Sequence, residues 1–194
     1  MDLEKIRKLK PDLIIGNKEE NERSQIEALQ KEFPMWMSDI YTFEDSFDMM
    51  SNLAEIVDKR DRGKELITQL RNSLTRIKAL FAKRSVAYFI WNKPYMLAAK
   101  HTFINYVIEH LGLENALKDA QRYPELSSEA LQQIKPDICF LSSEPFPFKE
   151  KHVKELQKIL PDAQILIVDG EVFSWYGTRL LHLEAYVTKL PLRH

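Results

Sequence analysis

The stretch "LKPDLIIGNKEE" at residues 9–20 has a counterpart later in the same chain, "IKPDICFLSSEP" at residues 134–145. Both read Lys-Pro-Asp, then an apolar run, then a glutamate. Lys10 and Lys135 are 125 positions apart. A proline at the next position disfavours helical backbone, so each stretch predicts a corner between a helix and a short strand.

The correspondence extends beyond these two stretches. Glu4 and Glu129 are also 125 positions apart, and "LQKEFP" at 29–34 returns as "LQKILP" at 156–161 with an offset of 127. The segments keep their order and nearly their spacing, which indicates an internal duplication. Each copy predicts the order helix, strand, helix, strand. Apolar strands that alternate with amphipathic helices are typical of an α/β fold with parallel sheets covered by helices.

A long helical tract separates the two copies. Thr42 is a predicted N-cap with Asp45 three residues later, and Gly63 is a predicted break. After it, residues 64–81 carry an apolar stripe at helical spacing, and a rigid helix of that length can bridge two lobes. We therefore predict three segments: a partial N-terminal lobe at 1–41, a helical linker at 42–83, and a C-terminal lobe at 84–194.

The second copy is preceded by a further strand, loop and helix that the first copy lacks. "SVAYFIW" predicts the strand, residues 92–100 the loop, and "TFINYVIEHLG" the helix. Only three residues precede Glu4, so we predict that the chain is truncated at its N-terminus relative to its ancestor. An incomplete lobe has an open sheet edge, here around Ile14 and Trp36, which favours self-association.

The composition narrows the class of function. The chain has 28 basic and 29 acidic side chains, and nucleic-acid platforms show a basic excess. The opening "MDLEKIRKLK" has no signal-peptide apolar region, and the single cysteine, Cys139, lies in an apolar run and is predicted to be buried. Glycine-rich phosphate loops, G-x-S-x-G and H-E-x-x-H are absent from the sequence. We predict no catalytic residues, no metal site and no nucleic-acid partner.

Three segments, together with the long central helix, give the chain a recognisable resemblance. It resembles the helical-backbone, or class III, substrate-binding proteins of ABC importers, the receptors for cobalamin, haem and siderophores. The segments are "DLEKIRKLKPDLII", "SSEALQQIKPDICFLSSEPFPF" and "VDGEVFSWYGTRLL". The resemblance implies two Rossmann-like lobes joined by a long helix, with the ligand in the cleft between them.

The resemblance also implies a function. The protein would bind a corrinoid, haem or a ferric siderophore without a covalently bound cofactor, and would deliver it to an ABC permease. It would be periplasmic or membrane-anchored, although the missing signal sequence leaves a cytoplasmic location open. The alternative is a cytoplasmic chelate-handling protein, or an enzyme, on the same two-lobe scaffold, because a fold does not fix a function.

Candidate ligand-binding residues follow the predicted strands, since ligands of such folds bind beyond the carboxyl ends of the strands. Aromatic rings suit a flat macrocycle, and an arginine suits a carboxylate or phosphate on the ligand. Packing is the alternative for each ring, a structural ion pair for the arginine, and helix capping or a simply exposed position for the glutamate. The candidates are Trp91, Tyr95, Glu144, Phe146, Phe148, Trp175, Tyr176 and Arg179, with Asn17 and Lys18 after the first strand.

The duplicated glutamates have a separate expected role. In the family that the chain resembles, an acidic residue on each lobe docks onto arginines of the permease, and Glu4 and Glu129 match those positions. The alternative is local, because a glutamate in a first helical turn is favoured by the helix dipole alone. Since both residues precede their strands, we expect them at the end of the sheet opposite the ligand loops.

Overall fold

A computed structural model describes residues 1–192, so residues 193 and 194 of the predicted C-terminal lobe lie outside it. The chain forms two compact units, Met1–Ile40 and a second unit that begins at Tyr41. The helices of the predicted linker pack within this second unit. The division into lobe, linker and lobe as functional parts stays a prediction.

The first unit contains one copy of the repeat. Its two strands are parallel, and Ile14 pairs with Met35. Helix α1 is capped by Asp2, whose side chain accepts the backbone N–H of Lys5 at 3.0 Å. The elements are α1 (Leu3–Leu9), β1 (Ile14–Asn17), α2 (Arg23–Gln30) and β2 (Met35–Ser38).

The second unit opens with two long helices and continues as a sheet with helices around it. The sheet order is β6-β4-β3-β7-β8, and β5 pairs with β3 off this path. A 3₁₀ helix, Gly177–His182, lies between the last two α-helices. The other elements are α3 (Phe43–Ile56), α4 (Arg60–Ile77), β3 (Ser85–Trp91), β4 (Tyr95–Ala98), α5 (Phe103–His110), β5 (Glu114–Asn115), β6 (Glu125–Leu126), α6 (Ser128–Ile134), β7 (Ile138–Ser142), α7 (Glu150–Ile159), β8 (Gln164–Val168), α8 (Gly170–Ser174) and α9 (Leu183–Val187).

The predicted α/β class is confirmed, and the core of the second unit lies on the central strands. β7 is buried along its whole length because it has β3 and β8 as parallel neighbours and helices over its faces. Cys139 is fully buried on this strand, as predicted, and burial raises the pKa of its thiol to about 12.

The two Lys-Pro-Asp corners have the same backbone geometry, as the predicted duplication requires. Lys10 follows α1 with φ 46° and ψ 56°, and Lys135 follows α6 with φ 41° and ψ 61°. Both are left-handed helix C-caps, a conformation that ends a helix abruptly. Both helices have seven residues, and each copy forms its own parallel strand pair.

Two local predictions were wrong. Residues 92–100 are not a simple loop, because Tyr95–Ala98 forms β4, which pairs antiparallel with β3 and makes the sheet mixed. Gly63 does not break the helical tract but lies inside α4. A Cβ at Gly63 would lie 2.5 Å from the Cβ of Ala54, so the glycine allows α3 and α4 to pack closely. The break falls earlier, at Asp58, whose φ is 53°.

The start of α3 has the predicted capping box. The Thr42 hydroxyl accepts the backbone N–H of Asp45 at 3.1 Å, and the Asp45 carboxylate accepts the backbone N–H of Thr42 at 2.8 Å. Across residues 1–192, the structure shows no helix with the length and apolar character needed to cross a bilayer.

Candidate functional site

Three of the predicted ligand segments start from one edge of the second unit's sheet. Strands β3, β7 and β8 are parallel neighbours, so their carboxyl ends meet at that edge. The β3–β4 turn, the loop at 143–149 and helix α8 follow these strands directly. This edge is where ligands bind in open parallel sheets.

Aromatic side chains from two of these segments are in contact. The ring of Trp91 lies 5.5 Å from that of Phe146, and Phe146 lies 4.8 Å from Phe148, both edge-to-face. Trp91 is 42% exposed, whereas Phe148 is buried against Phe89. Trp91 and the half-buried Phe146 are therefore available to a ligand, while Phe148 supports them from the core.

Tyr95 lies at the start of β4 rather than in a loop. It is buried, with its ring 6.0 Å from that of Phe89. Tyr176 is half-buried, and its ring packs 5.8 Å from Phe103 on α5. The contacts of both tyrosines are those of packing residues within the second unit.

Glu144 and Trp175 are joined directly, although 31 residues separate them. The indole Nε1–H of Trp175 donates to Glu144 Oε1 at 2.8 Å, and the Ser174 hydroxyl donates to the same oxygen at 3.3 Å. Trp175 is nevertheless 55% exposed. The glutamate does not cap the following helix; it holds the indole N–H of an exposed tryptophan.

A tight backbone contact brings α8 against the 143–149 loop. The N–H of Gly170 donates to the Ser143 hydroxyl at 2.9 Å. A Cβ at Gly170 would lie 2.3 Å from Ser142 Oγ and 2.7 Å from Glu144 Cγ, so only glycine fits there. The buried Ser142 hydroxyl donates to the carbonyl of Glu144. Sequence reasoning missed this contact, whose one signal was the glycine in "VDGE" directly after a strand.

Arg179 takes part in structural ion pairs, which was the alternative to a role in ligand binding. Its Nη2 lies 3.1 Å from an Asp169 oxygen and 2.9 Å from a Glu171 oxygen. Its Nε is buried and, among the described residues, has no hydrogen-bond partner. Arg179 also lines a groove of about 530 Å³ together with Tyr186 and Lys189.

The two glutamates occupy equivalent helical positions, one in each unit. Glu4 and Glu129 are both the second residue of their helices. The Glu4 side chain is 74% exposed and pairs with Arg7 at 2.6 Å. A hydrogen bond from the Ser127 hydroxyl is the main cause of the lowered pKa of the exposed Glu129. Both side chains therefore lie on the surface.

The expected location of Glu129 opposite the ligand loops was wrong. Leu126, three residues before it, pairs with Tyr95, and the neighbouring Met96 pairs with Trp91 at the carboxyl end of β3. Helix α6 runs back along the sheet and ends at the corner before β7. The helix start, and Glu129 with it, therefore lies towards the same edge as the aromatic segments.

Asn17 and Lys18 belong to the first unit. Asn17 ends β1, and its side-chain oxygen accepts the backbone N–H of Glu20 at 2.7 Å. Lys18 pairs with Asp39 at 2.5 Å. Within residues 1–192, the structure has no group of three or more His, Cys, Asp or Glu side chains arranged to hold a metal ion.

The known proteins that this chain resembles agree with this α/β architecture. The sequence model described as "Periplasmic binding protein" matches residues 1–162, most of the chain. The chain belongs to this family. The solved structures that it resembles include the periplasmic heme-binding protein RhuT from Roseiflexus sp. RS-1, with a TM-score of 0.81 and 19% identity over 97% of this chain and 78% of that one. Another is the periplasmic vitamin B12 binding protein BtuF of Vibrio cholerae. Its TM-score is 0.74, with 20% identity over 97% of this chain and 78% of that one.

Two curated relatives are similar in sequence. The Fe(3+)-citrate-binding protein YfmC of Bacillus subtilis is 29% identical over 147 residues, which are 73% of this chain and 46% of that protein. The vitamin B12-binding protein of Vibrio parahaemolyticus is 30% identical over 146 residues, which are 72% of this chain and 53% of that protein. The chain thus spans about half the length of the curated relatives that it matches.

Proposed function

We propose that this periplasmic binding protein is the substrate-binding component of an ABC importer. It binds a metal chelate, either cobalamin, haem or a ferric siderophore, and delivers it to the permease on the periplasmic side of the membrane. Relatives named for binding Fe(3+)-citrate, vitamin B12 and heme support this ligand class. The role is binding without turnover.

The observation that carries the proposal is the pair of exposed indoles at the carboxyl edge of the sheet. Trp91 and Trp175 are both tied to the 143–149 loop, one through Phe146 and the other through Glu144. Exposed tryptophans held in one orientation offer large, flat contact area with little entropy to lose on binding. Flat conjugated chelates fit such a surface.

Absorbance titration with cyanocobalamin, haemin, ferric citrate and a ferric hydroxamate tests the proposal. We expect one of them to bind, and Trp91→Ala and Trp175→Ala each to weaken its binding at least about tenfold, or about 1.4 kcal/mol. Leu80→Ala is the control, because Leu80 is also an exposed apolar residue but precedes the amino end of β3. Failure of the whole panel, or equal losses in all three variants, would overturn the assignment.

The enzymatic alternative is separated by the fate of the ligand. After prolonged incubation with the protein, the bound chelate should be recovered unchanged by mass spectrometry. A chemically altered chelate would instead favour a chelate-processing enzyme on the same scaffold.

Permease docking is the second part of the proposal and is assigned to Glu4 and Glu129. Their equivalent positions and exposed charges suit contact with two basic sites on a two-fold permease. Since Glu129 lies towards the edge that carries Trp91 and Trp175, docking would bring the permease close to the proposed ligand surface. Charges of this kind set orientation and association rate more than affinity.

Charge reversal tests the docking role. Glu4→Arg and Glu129→Arg should slow association with the cognate permease in nanodiscs, and added salt should shrink the difference because it screens exposed charges. Glu109→Arg is the control, because Glu109 is an exposed glutamate in the last turn of α5, beside the segment that precedes the amino end of β3. Unchanged association rates for both reversed glutamates would remove them from the docking surface.

A further inference from the structure

His152 is a buried histidine that lies beside the proposed ligand loop and has no assigned role. It is the third residue of α7 and is only 5% exposed. Its Nδ1 accepts the backbone N–H of Lys149, the N-cap residue, at 2.9 Å. A glutamate or glutamine usually makes this contact from the third helical position. Because Nδ1 is an acceptor, the proton is on Nε2 and the ring is neutral.

The same ring packs against the aromatic residues of the loop. Its centroid lies 5.2 Å from that of Phe146 and 5.5 Å from that of Phe148, both edge-to-face. Phe146 in turn contacts the exposed Trp91. His152 therefore fixes the loop in two ways, by a hydrogen bond at its end and by ring packing along it.

We propose that His152 is a positioning residue that holds the 143–149 loop in its ligand-binding conformation and that protonation of the ring releases this loop. The link to ligand binding rests on the proposed function. The positioning role can be tested on the protein without ligand.

Protonation would release the loop because the ring would lose its only hydrogen-bond acceptor. A proton on Nδ1 would face the N–H of Lys149, so two donors would oppose each other, and the new charge would be buried among phenyl rings. Burial is the main cause of the lowered pKa of His152, and the charges of Lys151, Lys149 and Lys93 lower it further, while Glu155 raises it. Glu155 lies 3.6 Å from Lys93, which offsets part of its effect.

The sign of the pH dependence follows from the lowered pKa. The folded protein holds His152 neutral at neutral pH. The contribution of the ring to loop order is complete above the ordinary histidine pKa and is lost as the pH falls through the lower pKa of the folded state. Acidification should therefore loosen the loop.

Two substitutions separate the hydrogen bond from the ring packing. His152→Gln keeps an acceptor at the third helical position but does not titrate, and His152→Phe keeps a ring but has no acceptor. The readout is the indole N–H signal of Trp91 and Trp175 in ¹H–¹⁵N NMR spectra from pH 8 to pH 4.5. Trp36 in the first unit and the exposed His182→Gln variant are the controls.

The expected result is a shared titration. In the wild type, the Trp91 signal should move with the same midpoint as the His152 ring, and in His152→Gln this step should vanish. His152→Phe should show a displaced Trp91 signal at every pH. A wild-type Trp91 signal that ignores the His152 titration would overturn the proposal, and this comparison stands even if a variant fails to fold.

The second test measures the affinity for a chelate as a function of pH. With whichever chelate of the panel binds, affinity should fall at least about tenfold between pH 7.5 and pH 5 in the wild type and remain nearly constant in His152→Gln. If no chelate binds but the titrations coincide, the proposed function fails and the positioning role stands. If a chelate binds with a pH dependence that His152→Gln retains, the positioning role fails and the function stands.

Discussion

The two copies of the repeat share their local geometry but differ in burial. Ile15 on β1 and Phe140 on β7 occupy equivalent positions, yet Ile15 is 51% exposed and Phe140 is fully buried. Strand β7 lies between β3 and β8, whereas β1 pairs only with β2 within the described residues. The same sequence pattern therefore specifies a corner and a strand, and the neighbouring strands decide how much of the strand is buried.

The aspartates of the two corners are both exposed but differ in their hydrogen bonds. Asp137 accepts hydrogen bonds from the backbone N–H of Ser85 at 2.7 Å and from its hydroxyl at 2.8 Å, so the corner is tied to the start of β3. Asp12, its equivalent in the first copy, is equally exposed and lies in a unit without an equivalent of β3 among the described residues. A motif kept by duplication has thus gained a tertiary role in one copy only.

Core truncation should give the largest difference between the copies. Phe140→Ala should lower the free energy of unfolding of the second unit by about 3–5 kcal/mol, because it leaves a cavity in a packed core. Ile15→Ala should cost the first unit less than about 1 kcal/mol, since half of its side chain is already in water. Urea denaturation, followed through Trp36 in the first unit and Trp175 in the second, measures both.

Separate probes are needed because the two units need not unfold in one transition. Similar losses for Phe140→Ala and Ile15→Ala would show that Ile15 is covered in solution and would contradict the difference in burial.

The open edge of the first unit should make the protein self-associate. Strand β1 is short but carries no charged residue and no proline, and a charge there should block pairing. Ile15→Lys should weaken self-association at least about tenfold, or about 1.4 kcal/mol, in sedimentation velocity across a concentration series. Val57→Lys, at an exposed apolar residue of the second unit, is the control. A wild-type protein that stays monomeric at every concentration would contradict the prediction.

The corner aspartates should differ by a smaller amount. Asp137→Ala should cost about 1 kcal/mol, because its hydrogen bonds to Ser85 involve a charged acceptor near the surface. The backbone N–H of Ser85 is the main cause of the lowered pKa of Asp137. Its contribution is therefore present above the ordinary aspartate pKa and is lost as the pH falls through the folded-state pKa.

Asp12→Ala is the matched control for this pair. Its unfolding free energy should change little, and the difference between the two variants should shrink as the pH falls below the ordinary aspartate pKa. The measurement is the urea midpoint of each variant at pH 7 and pH 3. A difference that did not shrink at all between pH 7 and pH 3 would show that the effect of Asp137 does not depend on its charge.

Features that depend on neighbours in sequence could be predicted from the sequence. The Lys-Pro-Asp corners, the capping box at Thr42 and the burial of Cys139 all follow from a few adjacent residues. Strand β4 could not be predicted, because "YMLA" after a proline reads as a loop unless its pairing with β3 is known. The position of Gly63 inside α4 could not be predicted either, because it depends on a contact with another helix.

The candidate site, too, could be predicted only where its features depend on residues adjacent in sequence. Exposed aromatic residues after strands were predictable by type, and Trp91 and Trp175 are exposed. The hydrogen bond from Trp175 to Glu144 spans 31 residues, and the packing of Tyr95 into the core depends on sheet register, so neither leaves a local signal. The location of Glu129 was wrong for a related reason, since helix direction relative to the sheet decides it.

The corner lysines should show the smallest effect, and the same effect in both copies. Lys10 and Lys135 both hold left-handed backbone, which costs a residue with a Cβ about 1–2 kcal/mol relative to glycine. Glycine relieves this strain but loses about 0.5–1 kcal/mol in additional unfolded-chain entropy. Lys10→Gly and Lys135→Gly should therefore each stabilise their unit by about 0.5 kcal/mol, measured as a rise in urea midpoint. Lys8→Gly, inside α1, is the control and should instead destabilise by up to about 1 kcal/mol. Opposite signs for the two corner variants would mean that the corners are not equivalent in solution.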